Sequence, residues 1–209
     1  MSPEGGGWGG VLPTGTRWGC TQNWVHPVVN GRCIRKCWLP ATKALLADRR
    51  TTNVTTAGSQ PTDGPTIRQA TRADLLDVYR IETTSFPQPW PYAAFEQFLG
   101  QPGFLVAGER SVDGFIVADT VPNGGTPLGH VKDLAVRPDA RGQGLGANLL
   151  GTALSICRRQ GVGRVKLEVR ETNDTAKRLY ERFGFEIHRR LPRYYDDGED
   201  AFVMVCPLQ

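Results

Sequence analysis

The sequence lacks any apolar run long enough to cross a bilayer, because polar or charged residues interrupt every hydrophobic stretch well before about 20 residues. Its first residues also lack the basic-then-apolar order of a secretory signal peptide. These two absences argue against a helical membrane protein and against secretion. We therefore expect a cytoplasmic protein without a membrane partner.

Cysteine is scarce, and the five cysteines among 209 residues are an odd number, which argues against a disulfide framework. Cys20, Cys33, Cys37 and His26 lie near one another in the sequence but lack the two matched cysteine pairs typical of a structural zinc site. The last two cysteines lie in apolar patterns that do not activate a thiol. We expect neither a bound metal nor a cysteine nucleophile.

A net charge is missing from most of the chain. Residues 64–209 contain 18 basic and 18 acidic residues, so the formal net charge of +4 comes from residues 1–63, with seven basic and three acidic residues. Without an overall positive field, residues 64–209 are not expected to bind nucleic acid.

The composition divides the chain into two parts. Residues 1–63 contain a glycine-rich stretch and four of the five tryptophans, and they end in a linker rich in Thr, Ser, Gly and Pro. We expect this extension to be poorly ordered, or to form a small helix over residues 40–50 that packs on the domain. Residues 64–209 are expected to form one domain.

Periodicity predicts the elements of this domain. Helices are expected over residues 71–84, 92–100 and 144–160, and a fourth helix is capped by Asn173 with apolar positions three and four apart. Short strands separate them, in the order β-α-α-β-β-β-α-β-α-β-β, which indicates a mixed α/β fold.

A glycine-rich turn lies at the centre of this pattern. The apolar run Leu134-Ala135-Val136 is followed by Pro138 and then by Arg141-Gly-Gln-Gly-Leu-Gly, where the third helix begins. The free N–H groups of a first helical turn, and the helix dipole, favour an anion there. The turn is either a pyrophosphate site or an ordinary strand-to-helix connection. It matches neither the P-loop nor the dinucleotide fingerprint.

The spacing R-x-x-G-x-G after a strand resembles the acetyl-CoA-binding motif of GNAT acetyltransferases. Downstream, L-E-V-R is followed by Asn173, Ala176, Leu-Tyr, Gly-Phe, Tyr-Tyr and Glu-Asp-Ala in a fixed order. This joint pattern resembles ribosomal-protein-alanine N-acetyltransferases of the RimI type and archaeal protein N-terminal acetyltransferases. The resemblance implies the GNAT fold over about residues 66–207, with about seven mostly antiparallel strands and about four helices.

The resemblance also implies where acetyl-CoA binds. The main chain of residues 134–136 would pair with the pantetheine arm, residues 142–147 would hold the pyrophosphate, and Asn173 would touch the cofactor. The full set of implied cofactor residues is Leu134, Ala135, Val136, Arg141, Gly142, Gln143, Gly144, Leu145, Gly146, Ala147 and Asn173.

Acetyl transfer to an amine requires a neutral amine, a stabilised oxyanion and a leaving thiolate. Glu168 is the family's candidate general base, acting directly or through a water; without the motif it would be an exposed charge on an alternating strand. Tyr180 is either a core aromatic or the donor of a proton to the thiolate. His130, in Gly-His-Val, resembles a histidine near the amine in archaeal relatives.

Four aromatic residues in loops are candidates for the acceptor groove: Phe86, Trp90, Tyr194 and Tyr195. Gln88 stands where such relatives carry an acidic residue, which leaves a second base in doubt. A protein α-amino group has a pKa about 2.5 units below that of lysine, so deprotonating lysine costs roughly 3.4 kcal/mol more.

These observations predict a protein N-terminal acetyltransferase that uses acetyl-CoA in a ternary complex, as a monomer or weak homodimer, with a ribosomal protein among its potential substrates. The alternatives are an acetyltransferase for lysine or small amines, and an acyl-CoA-binding module without turnover.

Overall fold

The computed structural model describes residues 66–109 and 111–208, together with two short paired strands, β1 (Val28–Val29) and β2 (Arg32–Cys33). Apart from these strands, the extension expected over residues 1–63 and the helix expected over residues 40–50 lie outside the described residues. Within the described ranges, no helix is both long and apolar enough to cross a membrane.

Residues 66–208 form one seven-stranded sheet with helices on both faces. The strands are β3 (Ile67–Gln69), β4 (Phe104–Ala107), β5 (Gly114–Val121), β6 (Leu128–Val136), β7 (Arg164–Arg170), β8 (Glu186–Leu191) and β9 (Ala201–Pro207). The helices are α1 (Leu75–Ser85), α2 (Tyr92–Glu96), α3 (Leu145–Arg159) and α4 (Asp174–Arg182). The sheet order is β3-β4-β5-β6-β7-β9-β8, and only β6 and β7 pair in parallel. The expected element order is confirmed.

The first two helices are shorter than expected. A 3-10 turn occupies Arg72–Asp74 before α1. The Asp74 carboxylate accepts hydrogen bonds from Thr71 N–H (2.8 Å) and from the Arg68 guanidinium (2.6 Å), which hold the pKa of Asp74 below its usual range. Such side chain–backbone bonds favour turns over regular helix. Beyond α2, hydrogen bonds of the 3-10 type continue the chain towards Gly100, which has a positive φ.

Two apolar clusters cover the two faces of the sheet. One packs α3 and α4 against β6, β7 and β9, with Leu149 and Met204 fully buried. The other packs α1 and α2 against β4 and β5 and is rich in aromatic rings, including Phe95 and Phe115. Because both faces are covered, the central strands are buried on both sides, and only the edges and ends of the sheet are exposed.

The parallel pair β6–β7 stays together for only part of its length. Its register runs from Leu128 opposite Arg164 to Val131 opposite Leu167 and ends there. At the same point the register between β6 and β5 shifts, since Val117 pairs with Asp133 whereas Ala118 pairs with Val131. A bulge bends and twists its strand. Beyond the bulge, β6 and β7 therefore diverge and leave an opening in the sheet.

Gly103 provides a test of this packing, because a Cβ there would lie 2.2 Å from the Ala118 backbone oxygen on β5. We expect Gly103→Ala to lower the free energy of unfolding by about 1 to 3 kcal/mol through this clash. Gly125→Ala is the control, since a Cβ there meets no atom within 4 Å. Urea denaturation measures both variants, and equal stabilities would contradict the close approach.

Candidate functional site

The diverging ends of β6 and β7 border a cleft of about 430 Å³. Residues 131–134 form one wall and residues 167–170 form the other, while the α1–α2 loop, α4 and the β8–β9 loop complete it. The predicted site residues that line the cleft are Phe86, Leu134, Glu168, Asn173, Tyr180 and Tyr195. Phe86 and Tyr195, which are 109 positions apart in the sequence, therefore meet at one opening.

Within the described residues, the β6 segment that contains Leu134, Ala135 and Val136 has a partner strand on only one of its two edges. On one side it pairs with β5, where Leu134 lies opposite Ile116. On the other side the ladder to β7 has already ended at Val131. The backbone groups on that side can therefore pair with an extended, amide-containing chain such as the pantetheine arm of acetyl-CoA.

The glycine turn after β6 forms an open cradle. Gly142 and Gly144 both have a φ of 78°, and a Cβ at either position would meet no atom within 4 Å. The Asn148 N–H donates to the Gly144 carbonyl at 3.0 Å, which is the first hydrogen bond of α3. The N–H groups of residues 145–147 come before this bond and have no carbonyl partner within the helix. These groups fit a pyrophosphate by backbone hydrogen bonding and by the helix dipole.

Arg141 joins this cradle to the other side of the cleft. Its Nε donates to the Val136 carbonyl at 2.9 Å, and a terminal nitrogen donates to Ser85 Oγ at 3.3 Å. Ser85 ends α1 and lines the cleft. Leu145 anchors the start of α3 through its buried side chain, whereas the Gln143 side chain is exposed.

The Glu168 carboxylate is held at both oxygens. Lys166 Nζ donates to Oε1 at 2.8 Å, and His130 Nε2 lies 2.7 Å from Oε2. Burial raises the pKa of Glu168, but the Lys166 ammonium and the hydrogen bonds from His130 and Lys166 outweigh burial and hold this pKa below its usual range. Glu168 is therefore an ionised carboxylate whose side chain is 12% exposed and faces the cleft.

His130 supports Glu168 from behind. Its ring is only 2% exposed, and it is not among the residues that line the cleft. Burial lowers the pKa of His130, and the neighbouring Glu168 only partly offsets this effect. The ring is therefore neutral at neutral pH. Because an ionised carboxylate can only accept, we assign the ring proton to Nε2.

Tyr180 on α4 has its ring in the core and lines the cleft. The ring packs against Phe185 at a centroid distance of 5.8 Å, and burial together with the Asp133 carboxylate raises the pKa of the phenol. Among residues 66–109 and 111–208, no side chain or backbone group hydrogen-bonds to its hydroxyl. The hydroxyl keeps its proton and can donate it to a ligand.

Asn173 has a structural contact as well as a place in the cleft. Its Oδ1 accepts a hydrogen bond from the Ala176 N–H at 3.1 Å and so caps α4. The remaining amide N–H₂ group can donate to a ligand.

The four aromatic candidates for the acceptor groove lie in different surroundings. Phe86 lines the cleft, and so does Tyr195, whose ring packs under the Arg170 guanidinium at 3.9 Å. Tyr194 packs edge-on against Tyr195 at 5.2 Å but does not itself line the cleft. Trp90 is 3% exposed and stacks on Phe98 at 5.6 Å within the aromatic core cluster, away from the cleft lining.

Sequence reasoning missed the groups that fix the charged residues. Lys166 and Arg170 alternate with apolar residues on β7, which is typical of a strand with one solvated face. However, β7 lies between β6 and β9, and Lys166 is only 6% exposed. Arg170 donates to Asp197 (2.7 Å) and to Glu199 (2.5 Å) and thereby attaches the β8–β9 loop to the cleft. Only knowledge of the strand order could have indicated these contacts.

Metal ligands do not form a cluster in the part of the chain that the structure describes, where no three His, Cys, Asp or Glu side chains meet as a site would need. The groups of the cleft that can act on a bound ligand include the Glu168 carboxylate, the Tyr180 phenol and the strand edge at Leu134.

Comparisons with known proteins agree with this geometry. Residues 75–185 match the model of the Acetyltransferase (GNAT) family. A putative [ribosomal protein bS18]-alanine N-acetyltransferase from Bacillus subtilis is 31% identical over 147 residues, which cover 66% of this chain and 92% of that protein. An N-alpha-acetyltransferase from Sulfolobus acidocaldarius is 34% identical over 157 residues, covering 68% and 92%.

Among solved structures, Ard1 from Thermoplasma volcanium is 35% identical with a TM-score of 0.65, and the match covers 69% of this chain and 98% of that one. The match of fold, cleft and sequence confirms the predicted GNAT fold and the predicted use of acetyl-CoA. The chain therefore belongs to the GNAT family and is an acetyl-CoA-dependent N-acetyltransferase.

Proposed function

We propose that this enzyme acetylates the α-amino groups of protein N-termini, with a ribosomal protein among its substrates. The observation that carries the proposal is the Glu168 carboxylate, which is half-buried, ionised and fixed at both oxygens where β6 and β7 part. Relatives named for N-alpha-acetylation and for a ribosomal-protein alanine support the same substrate class. We place the enzyme in the cytoplasm, where ribosomes and acetyl-CoA meet, and assign the activity to residues 64–209.

The donor side of the cleft holds acetyl-CoA, which supplies an activated thioester carbonyl. Residues 142–147 bind the pyrophosphate through backbone N–H groups, and Asn173 donates its amide. The free edge of residues 134–136 binds the pantetheine arm. One N–H of this edge polarises the acetyl carbonyl and stabilises the oxyanion.

The acceptor side orients the amine with Glu168. Because a carboxylate of such low pKa is a weak base, it acts best on an amine that is already partly neutral, directly or through a water. A protein α-amino group has a pKa near 8, whereas lysine lies near 10.4. The low pKa of Glu168 therefore favours an N-terminus over a lysine side chain as the acceptor.

Tyr180 acts on the leaving sulfur. Its raised pKa makes it a weaker acid than a thiol, whose ordinary pKa is about 8.5, so it stabilises the thiolate mainly as a hydrogen-bond donor. The proton that the amine loses balances the negative charge of the departing thiolate. His130 orients Glu168 without touching the amine, while Phe86 and Tyr195 contact the first residues of the acceptor.

A peptide assay tests the substrate class. We expect acetyl transfer to peptides that begin with Ser, Ala or Met, and at least about tenfold slower transfer to the same peptides with a blocked N-terminus and an internal lysine, or to polyamines, because those amines are charged at neutral pH. Mass spectrometry locates the acetyl group. Faster transfer to lysine or polyamines contradicts the proposal, and acetyl-CoA binding without any transfer indicates a binding module.

The cradle is tested with Gly144→Asp. We expect the Kd of acetyl-CoA to rise on the order of thirtyfold, because the carboxylate repels the pyrophosphate and an L-residue strains a φ of 78°. Gly124→Asp is the matched control, since Gly124 also has a positive φ but lies in the β5–β6 loop, outside the glycine turn. By calorimetry, Glu168→Gln should bind acetyl-CoA with nearly unchanged affinity. In the peptide assay, the same variant should lose turnover. Equal loss of binding in both cleft variants would refute this division of roles.

The pH dependence is tested with peptides of different N-terminal pKa. Because the pKa of Glu168 lies below its usual range, Glu168 is already ionised where the peptide amine titrates. We therefore expect kcat/KM to rise with pH and level off at the pKa of the peptide amine. The pKa of each peptide amine is measured by NMR titration. A peptide with a lower amine pKa should shift the midpoint of the profile to lower pH by the same amount. If the acid side of the kcat/KM profile has the same midpoint for every peptide, the titrating group belongs to the enzyme, and this result would contradict our account.

A further inference from the structure

Lys166 occupies an unusual position for a lysine. It lies on the central strand β7, opposite Val205 of β9 and His130 of β6, and its side chain is 8% exposed. A buried ion pair is costly, and apolar residues of similar size often replace one without loss of stability. A lysine kept in the middle of a sheet is therefore poorly explained by stability alone.

The geometry around Lys166 points to the cleft. Lys166 and Glu168 are two residues apart on β7, so their side chains leave the same face of the sheet. The ammonium donates to Oε1, His130 binds Oε2, and the β6–β7 ladder ends one residue after Lys166. Glu168 lines the cleft whereas Lys166 and His130 do not. The ammonium thus contacts the carboxylate from the side opposite to the substrate.

We propose that Lys166 is a positioning residue of the acceptor site, whose ammonium holds the Glu168 carboxylate charged and in the one orientation that faces the incoming α-amino group. This inference rests on the proposed function. Lys166 touches neither donor nor acceptor and acts only through Glu168. Its contribution to the rate is therefore expected to vanish when Glu168 is replaced.

Several other titratable or charged groups lie around Glu168 and remain in place when Lys166 is changed. His130 of β6 contacts Glu168 directly, and Val203 of β9, directly opposite Glu168, is uncharged. The other titratable and charged groups line the same cleft as Glu168: Lys132 and Asp133 from β6, Arg170 from β7, Tyr180 from α4, and Tyr195, Asp196, Asp197 and Glu199 from the β8–β9 loop. Arg170 is already paired with Asp197 and Glu199. Lys166 is thus the cation that binds the carboxylate directly, and its removal leaves burial, which raises the pKa of Glu168, less opposed.

The experiment compares Lys166→Met with Lys166→Arg and with Arg164→Met, an exposed residue of the same strand. We expect Lys166→Met to lower kcat/KM for an Ala-initiated peptide on the order of ten- to a hundredfold, mainly in kcat, with the Kd of acetyl-CoA unchanged. Lys166→Arg should restore most of the rate, and Arg164→Met should match the unchanged enzyme. The double variant with Glu168→Gln should be no slower than Glu168→Gln alone.

The pH readout separates positioning from support of the fold. In the unchanged enzyme kcat/KM should fall tenfold per pH unit on the acid side, and in Lys166→Met about a hundredfold per unit once Glu168 is also protonated. In the ¹³C NMR titration, the midpoint for the Glu168 carboxyl should be at least about one pH unit higher in Lys166→Met than in the unchanged enzyme. In Lys166→Arg the midpoint should return to that of the unchanged enzyme.

The proposal is overturned if folded Lys166→Met has the same kcat/KM and the same Glu168 titration as Arg164→Met. It is also overturned if the loss of rate in Lys166→Met adds to the loss of rate in Glu168→Gln. If Lys166→Met does not fold, Lys166→Gln replaces it, with the same expected and contradicting results. If the unchanged enzyme acetylates no N-terminus, the proposed function fails, while the NMR titration still tests the action of Lys166 on Glu168.

Discussion

The separation of β6 from β7 is the constraint on which the site depends. As long as the two strands pair, their backbone groups satisfy each other, and no ligand can enter. Once the ladder ends at Val131 and Leu167, one strand offers a free edge and the other a carboxylate. The bulge at the β5–β6 pair supplies the bend that parts them, and the apolar clusters on both faces keep the sheet intact around the opening.

The opening explains why single residues serve both the fold and the site. Asn173 caps α4 with its carbonyl oxygen and leaves its amide for the cleft. Tyr180 buries its ring against Phe185 and leaves its hydroxyl without a partner in the described part of the protein. Leu145 anchors α3 with its side chain while its N–H belongs to the cradle. In each of the three residues, the apolar or hydrogen-bond-accepting atoms stabilise the fold, and the hydrogen-bond donor group can bind a ligand.

Much of this could be predicted from the sequence because its signals are local. The periodicity of residues 144–160 predicted both ends of α3 to within one residue, and the Asn173 cap predicted the start of α4. The start of α1 could not be predicted as well, because Asp74 binds Arg68 and Thr71 and a 3-10 turn results. The seating of Trp90 in the aromatic cluster and the burial of Lys166 depend on which elements pack together, and no local pattern encodes that.

Arg141 shows that donor and acceptor sides are not independent. The motif resemblance assigned it to the cofactor, but in the structure its guanidinium bonds the Val136 carbonyl on one side and Ser85 on the other. Val136 ends the strand that borders the donor, and Ser85 begins the loop that carries Phe86 and Gln88 into the cleft. A single planar, permanently charged group thus links the glycine turn to the α1–α2 loop, which we propose contacts the acceptor. Because direct transfer requires the amine and the thioester to be held in one geometry, this bridge belongs to the structural basis of the reaction as much as the charged residues do.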